Sequence, residues 1–306
     1  MNGLLVLALA MSLDAIAGEP RWLWSRLPHP AVLMGRAIGA LDTRWNQEPR
    51  ARAKGILAIA LLVIVAAAVG WAVIQIGWMA ELLITAILLA HRSLVAHVAT
   101  VAHGLRQSVA EGRRAIRMIV SRDVSTSSSS QVTRAGIESL SENFSDGVIA
   151  PAFWFLIAGV PGILIYKVVN TADSMVGYLT PRHAEFGWAA ARLDDVLNWI
   201  PARLTGALIT LVGAAGAQWH MIKSDARLHR SPNAGWPEAA MARTLNIALA
   251  GPRSYHGQVE DLAWVNGGGR RDLTPTDIDT AISMVWKTWG LVTGLLFLLG
   301  IFICIF

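Results

Sequence analysis

The sequence predicts an all-α, polytopic membrane protein, and three observations carry that prediction. Hydrophobic residues make up 54% of the 306-residue chain and charged residues only 15%, with a mean hydropathy of +0.47, the balance of a chain whose solvent is largely lipid. Apolar runs recur along its length, and its 13 tryptophans suit the headgroup region, where the indole ring is favoured. Arginines and lysines flank those runs, so the positive-inside rule accounts for the net charge of +5, and nucleic acid is excluded as a partner. The single cysteine, Cys304, rules out an intramolecular disulfide or a multi-cysteine metal site. The expectation is one integral membrane domain over residues 1–306 with about four to six membrane-embedded helices. Amphipathic and cytoplasmic helices complete it, and its polar segments, roughly 91–147, 171–203 and 220–287, face the cytoplasm from the cell (inner) membrane.

Taken in order, the apolar run from Gly3 to Leu13 is closed by Asp14 and is short for a span; it reads as an uncleaved, partly inserted helix. Pro20, Pro28 and Pro30 interrupt the next segment, and a new helix opens around Gly35, Arg36 and Gly39. Arg36 suits either a phosphate or the membrane interface. Only Gln75, Glu81 and Thr85 break the apolar sequence from Gly55 to Ala90. As one helix it would be about 54 Å long, nearly twice the hydrocarbon thickness, so a break near Gly77 into two short spans is expected. Seven basic residues in 21–54 and seven in 91–134 put both flanks on the cytoplasmic side. His91 to Val120 reads as one amphipathic surface helix with Leu94, Val98, Val101, Leu105 and Val109 on its apolar face. His91, His97 and His103 turn to different faces and do not form a metal site. Leu204 to Trp219 is a further apolar run, Pro237 to Leu249 a helix, and Thr288 to Phe306 a C-terminal membrane helix bounded by Lys287. The loop from Gly267 through Arg271 is either flexible or an anion cradle.

The stretch from Ile137 to Arg203 is where chemistry concentrates. Apolar segments alternate there with carboxylates, amides and arginines that a lipid-facing surface does not tolerate. Glu138, Glu142 and Asp146 recur every four residues, which puts three carboxylates within an arc of about 80° on one helix face. Such a ladder needs solvent, the pairing of Arg134 and Arg192, or a cation, and oxygen ligands suit Mg²⁺ better than zinc. Pro151 and the Pro161–Gly162 pair divide Val148 to Val169. A straight crossing would leave Asp146 and Asp173 about 30 Å apart across the bilayer, so a shared site requires a broken or re-entrant helix pair bent at residues 159–162. Asn170, Thr171, Asp173 and Ser174 read as a helix-end cluster, by capping or by anion binding. Phe186 to Trp199 reads as a helix with Arg192, Asp195, Trp199 and Arg203 on one side and Asp194 and Asn198 on another. The arginine fork suits phosphate, with carboxylates holding it in position; an ordinary Arg192–Asp195 surface pair is the alternative. In 231–249, Ser231, Pro232 and Asn233 open a turn, and Asn233 and Glu238 serve either as caps or in the site.

The segments ENFSDG (142–147), VNTADSMVGY (169–178), FGWAAARLDDVLNWIPARLT (186–205) and SPNAGWPEAAMA (231–242), with PHPAVLMGRAIGALD (28–42), resemble the integral-membrane adenosylcobinamide-phosphate synthase family of cobalamin biosynthesis. Several long motifs in the same order, covering nearly the whole chain, make the likeness specific. Glu19 stands where the family has aspartate, SRDVSTSSSS at 121–130 replaces a more acidic segment, and His183 replaces a common tyrosine.

The resemblance implies an amide-forming ligase. It would join a propionate of adenosylcobyric acid, a corrinoid, to (R)-1-aminopropan-2-ol (aminopropanol) or its O-phosphate, with ATP as co-substrate and Mg²⁺ as cofactor. Its partners would include membrane lipid and other membrane-bound cobalamin-assembly enzymes. By motif position Glu142, Asp146 and Asp173 would bind Mg²⁺ and serve catalysis with Asp194 and Asp195. Arg192, Arg203, Asn143, Asn170, Ser174, Asn198 and Asn233 would hold phosphate and substrate. No G-x-x-x-x-G-K-[ST] loop occurs, so ATP would need another cradle. The competing classes are a non-catalytic membrane scaffold or regulatory relative and a small-solute transporter. A transporter would carry its polar groups in inverted repeats, and neither NFSDG nor LDD recurs.

Overall fold

The structure is a computed structural model, and it describes residues 1–120, 123–255, 258–260 and 262–306. Ser121 and Arg122, in the segment that departs from the family pattern, lie outside the described residues. Helices dominate it. In chain order they are α1 Gly3–Ala17, α2 Arg21–Trp24, α3 Pro30–Trp45, α4 Ala51–Ile76, α5 Trp78–Leu88, α6 His91–Gln107 and α7 Val109–Ile116. Then come α8 Ser129–Phe144, α9 Ala150–Val176, α10 Trp188–Leu197, α11 Trp199–Val212, α12 Trp219–Ala226, α13 Gly235–Thr244 and α14 Pro275–Ile305. Four helical stretches among the described residues are long and apolar enough to cross a membrane: Ala51–Ile76, Trp78–Gln107, Ser129–Val176 and Pro275–Ile305. The all-α, multi-pass expectation therefore holds.

The chain forms two compact units. One gathers Met1–Arg92, Ala150–Trp199 and Thr293–Phe306; the other gathers Ser93–Ile149 and Ile200–Val292.

In the first unit α9 is the hub against which α3, α4, α5 and α10 pack. The expected break in the long apolar run comes at Gly77, between α4 and α5. α1 runs beyond Asp14, which is buried; its carboxylate accepts the backbone N–H of His91 at 2.8 Å and so caps the start of α6. Pro30 occupies the first turn of α3, where its missing N–H costs nothing, and the His29 ring accepts from Ala31 N–H. The new helix thus opens at the proline, before Gly35.

The expected break at residues 159–162 is found inside α9. Ala158 and Gly159 leave helical geometry, Gly159 with φ +61° and ψ −148°, a region open essentially to glycine alone. Beyond this kink Gly162 lies so close to the backbone of Trp154 that a Cβ would overlap its carbonyl oxygen. In a straight helix those residues would be about 12 Å apart, so the chain turns back here. We call the two limbs residues 150–157 and 160–176.

In the second unit α8 starts with a capping box, Ser128 with Gln131, and packs on α7 and α13. Several expectations are corrected here. The single helix foreseen from His91 to Val120 breaks at Ser108, whose hydroxyl accepts the Glu111 N–H at 3.1 Å and restarts the chain as α7. The run from Leu204 to Trp219 stops being α-helical after Val212, and α13 starts at Gly235 and ends at Thr244. The Pro237–Leu249 helix gives way to short antiparallel pairs, Leu249–Ala250 with Trp264–Val265 and Arg253–Tyr255 with Gln258–Glu260. Beside the first pair the buried Asn266 donates to the carbonyls of Ala242 and Ile247. Arg270 is forked onto Asp277, and the Arg271 guanidinium lies 4.6 Å from the Trp264 ring. Structural contacts therefore occupy both arginines of the anion-cradle reading.

Candidate functional site

The residues singled out by sequence divide between the two units. Asp173, Ser174, Asn170, Arg192, Asp194, Asp195 and Asn198 belong to the first; Glu142, Asn143, Asp146, Arg203 and Asn233 belong to the second.

In the first unit the second limb of α9 and the end of α10 meet through one carboxylate. Asn170 donates from Nδ2 to Asp194 Oδ1 at 3.1 Å, and Asn198 donates from Nδ2 to Asp194 Oδ2 at 3.0 Å. Asn198 is 1% exposed and forms the joint between α10 and α11. Its Oδ1 accepts from the Tyr166 hydroxyl at 3.0 Å. Burial pushes the Asp194 carboxyl above its ordinary range; the two amides pull it down and the neighbouring Asp195 charge adds to the rise. The four-residue spacing of Asp194 and Asn198 had put them on one helix face, as observed. Tyr166 escaped the sequence reading, although it precedes Asn170 by four residues and therefore shares its face. Trp154, on the first limb, donates from Nε1 to the Leu197 carbonyl at 3.0 Å, so both limbs are tied to the α10–α11 joint.

The remaining residues of that unit sit more openly. Arg192 pairs with Asp195 at 3.2 Å and its side chain is 67% exposed, the ordinary surface pair of the alternative reading. Asn170, Thr171, Asp173 and Ser174 lie in the last turns of α9, not at a helix start. The capping reading is thereby corrected: Thr171 and Ser174 donate back to the Lys167 and Asn170 carbonyls. Asp173 consequently stands at the negative end of the helix dipole, an unfavourable place for a carboxylate unless positive charge is supplied.

In the second unit the carboxylate ladder is divided by function. Glu138 is 7% exposed and its Oε1 accepts the Ala250 N–H at 2.8 Å, so it serves the fold. Glu142 and Asn143 are exposed; Asn143 donates to the carbonyl and hydroxyl of Ser139 at 2.9 and 3.2 Å. Asp146 falls in a π-helical turn, Ser145–Ile149, and such turns gather at functional sites. Arg203 is held by Asn233 Oδ1 at 3.1 Å and stacks 4.9 Å from the Trp236 ring. Asn233 is itself fixed by a turn in which Ser231 Oγ accepts from the N–H groups of Asn233 and Ala234. The SPNAGWP segment is thus the seat of Arg203.

Among the described residues no group of three or more His, Cys, Asp and Glu side chains could hold a metal ion. Mg²⁺ does not require one, because it commonly takes one or two carboxylates and fills its octahedron with water and substrate phosphates.

Fold and polar groups together define a polytopic helical membrane protein with a carboxylate held by amides and a guanidinium held by an amide and an indole. The CobD/Cbib protein family matches residues 7–285, and the chain belongs to it. It is 46% identical to a cobalamin biosynthesis protein CobD of Brucella anthropi, with 95% of each chain covered. It is similar to proteins of the same name from a Sinorhizobium species, 46% identical over 95% of this chain and 96% of the relative, and from Rhodobacter capsulatus, 42% over 93% of each. No solved structure matches.

Proposed function

We propose that the chain is an adenosylcobinamide-phosphate synthase of the inner membrane, working on its cytoplasmic side. It would couple ATP hydrolysis to an amide bond between a propionate of adenosylcobyric acid and aminopropanol or its O-phosphate. Membership of a cobalamin-biosynthesis family supports the substrate class. The observation that carries the reading is Asp194, a carboxylate of raised proton affinity clasped on both oxygens by amides from two separate motifs.

A carboxylate resists attack by an amine until one of its oxygens becomes a leaving group. Phosphoryl transfer from ATP to the propionate releases ADP and gives an acyl phosphate. The amine nitrogen then attacks the acyl carbon and inorganic phosphate departs with the C–O electron pair. Asp194 takes the proton shed by nitrogen; desolvation makes it a stronger base than an exposed aspartate. Bound Mg²⁺ would neutralise phosphate charge, taking one or two of the carboxylates Glu142, Asp146 and Asp173 and filling the rest of its shell with water and phosphate oxygens. Arg203, fixed by Asn233 and Trp236, and Arg192, held by Asp195, would receive phosphate oxygens through the planar fork. Asn143 and Ser174 retain the role of contacting substrate. Asn170 and Asn198 act by holding Asp194.

Purified protein in lipid nanodiscs, given adenosylcobyric acid, aminopropanol phosphate, ATP and Mg²⁺, is expected to form adenosylcobinamide phosphate and ADP in equal amounts by mass spectrometry. Folded protein that leaves all four reactants unchanged would overturn the proposal. A deletion strain should grow on cobinamide and fail on cobyric acid.

A further inference from the structure

We infer that Tyr166 is a positioning residue for Asp194, acting through Asn198 to keep an amide donor aimed at the carboxylate. The inference rests on the role given to Asp194 above.

An asparagine amide can sit in two orientations that differ by exchange of its oxygen and nitrogen. At Asn198 only one of them helps an ionised Asp194. With Nδ2 toward Asp194 Oδ2 the amide donates; turned over, it would present Oδ1 to the carboxylate and repel it. Steric fit hardly distinguishes the two, so the choice falls to whatever touches the other end of the amide. That neighbour is the Tyr166 hydroxyl, 3.0 Å from Asn198 Oδ1, on a side chain with no exposed surface. A hydroxyl donating to Oδ1 fixes the amide in the useful orientation and polarises it, strengthening the bond from Nδ2.

The same helix face supplies both arms of the clamp. Tyr166 and Asn170 are four residues apart on the second limb of α9, so they lie one above the other. Asn170 reaches Asp194 Oδ1 directly, while Tyr166 reaches Oδ2 by way of Asn198. Asp195 and Arg192 are the charged neighbours on α10 itself; α9 brings Lys167 and Asp173, and α4 brings Arg52, which lies 3.9 Å over the Trp188 ring. Of these charges Asp195 is the one that bears on Asp194. It acts alike in both orientations of Asn198, which leaves the tyrosine as the selecting group.

The test is Tyr166→Phe, which keeps the buried ring and removes only the hydroxyl. We expect kcat to fall about tenfold with KM for the corrinoid and the amine unchanged. The acid limb of the kcat–pH profile should move upward by about one unit as ionised Asp194 loses an oriented donor. Asn198→Ala should do the same, and the double variant should do no more, because the two act as one unit. A second readout needs no turnover: the infrared carboxyl band identified by its loss in Asp194→Asn should titrate at higher pH in folded Tyr166→Phe protein. A wild-type chain that forms no product would sink the synthase reading and leave the infrared titration to judge this one. An unmoved carboxyl titration, or fully additive effects of Tyr166→Phe and Asn198→Ala, would overturn the inference.

Discussion

The turn inside α9 can be tested with two alanines that act for opposite reasons. At Gly159 there is room for a methyl group, the nearest atoms standing 3.9 and 4.0 Å from an added Cβ, but the backbone sits at φ +61°. Gly159→Ala therefore puts strain on the backbone alone, costing about 1–3 kcal/mol. Gly162 lies in the helical second limb, where alanine would gain roughly 1 kcal/mol of helix propensity. Its Cβ, however, would run into the Trp154 carbonyl, a backbone atom that cannot rotate away, and overpacking of that kind costs about 1–3 kcal/mol or more. Gly294→Ala is the control, since it lies in α14 with nothing within 4 Å of an added Cβ; it should be neutral or stabilising by up to about 1 kcal/mol. Unfolding in detergent followed by tryptophan fluorescence should place Gly294→Ala level with or above wild type and both α9 variants below it. Gly162→Ala behaving like Gly294→Ala would refute the claim that the two limbs close on each other at this point.

Glu138→Ala should lower stability by about 1–3 kcal/mol, because it strands the buried Ala250 N–H. Activity per folded molecule should survive, as a metal ligand's would not, and matched thermal melts and turnover assays separate the two. Asp42 gives a pH prediction. Burial pushes its carboxyl up, but the Asn46 amide and the Arg182 guanidinium at 2.6 Å outweigh that and hold it below the usual value of 3.8. A depressed acid stabilises the fold above its unfolded value and loses that contribution as pH falls through the folded one. Melting midpoints below about pH 4 should therefore drop less steeply in Asp42→Asn than in wild type. Arg203→Lys keeps the charge but gives up the fork, one nitrogen donating to Asn233 Oδ1 and the other to the Pro232 carbonyl, and the stacking on Trp236. It should raise KM for the phosphorylated reactants more than it lowers kcat, and Asn233→Ala should add little on top.

Much of the architecture was legible because it depends on hydropathy and on local backbone rules. Apolar run lengths placed the spans, the length of Gly55–Ala90 demanded the break found at Gly77, and Pro161–Gly162 marked the turn in α9. Periodicity also paired Asp194 with Asn198, since it reports neighbours on one helix. Partners far apart in sequence give no such signal. Glu138 looked like a rung of a carboxylate ladder because its partner Ala250 lies in a loop 112 residues away. The break at Ser108 was missed because the apolar period of α6 runs on past it and hides the cap. Short pairs such as Leu249 with Val265 need only two residues each and leave no alternating pattern to read.

The asparagines explain why the site motifs look overloaded with neutral amides. An amide carries a donor and an acceptor, so one residue type can hold a charge of either sign. Asn170 and Asn198 turn Nδ2 toward the Asp194 carboxylate, whereas Asn233 turns Oδ1 toward the Arg203 guanidinium. A charged partner in the same place would hold each group harder but would neutralise it, leaving a weaker base at 194 and a weaker phosphate receptor at 203. Neutral holders fix position and leave the charge for the substrate. It follows that Asn170→Asp should do more harm than Asn170→Ala: the first sets a second carboxylate against Asp194, the second only removes a donor.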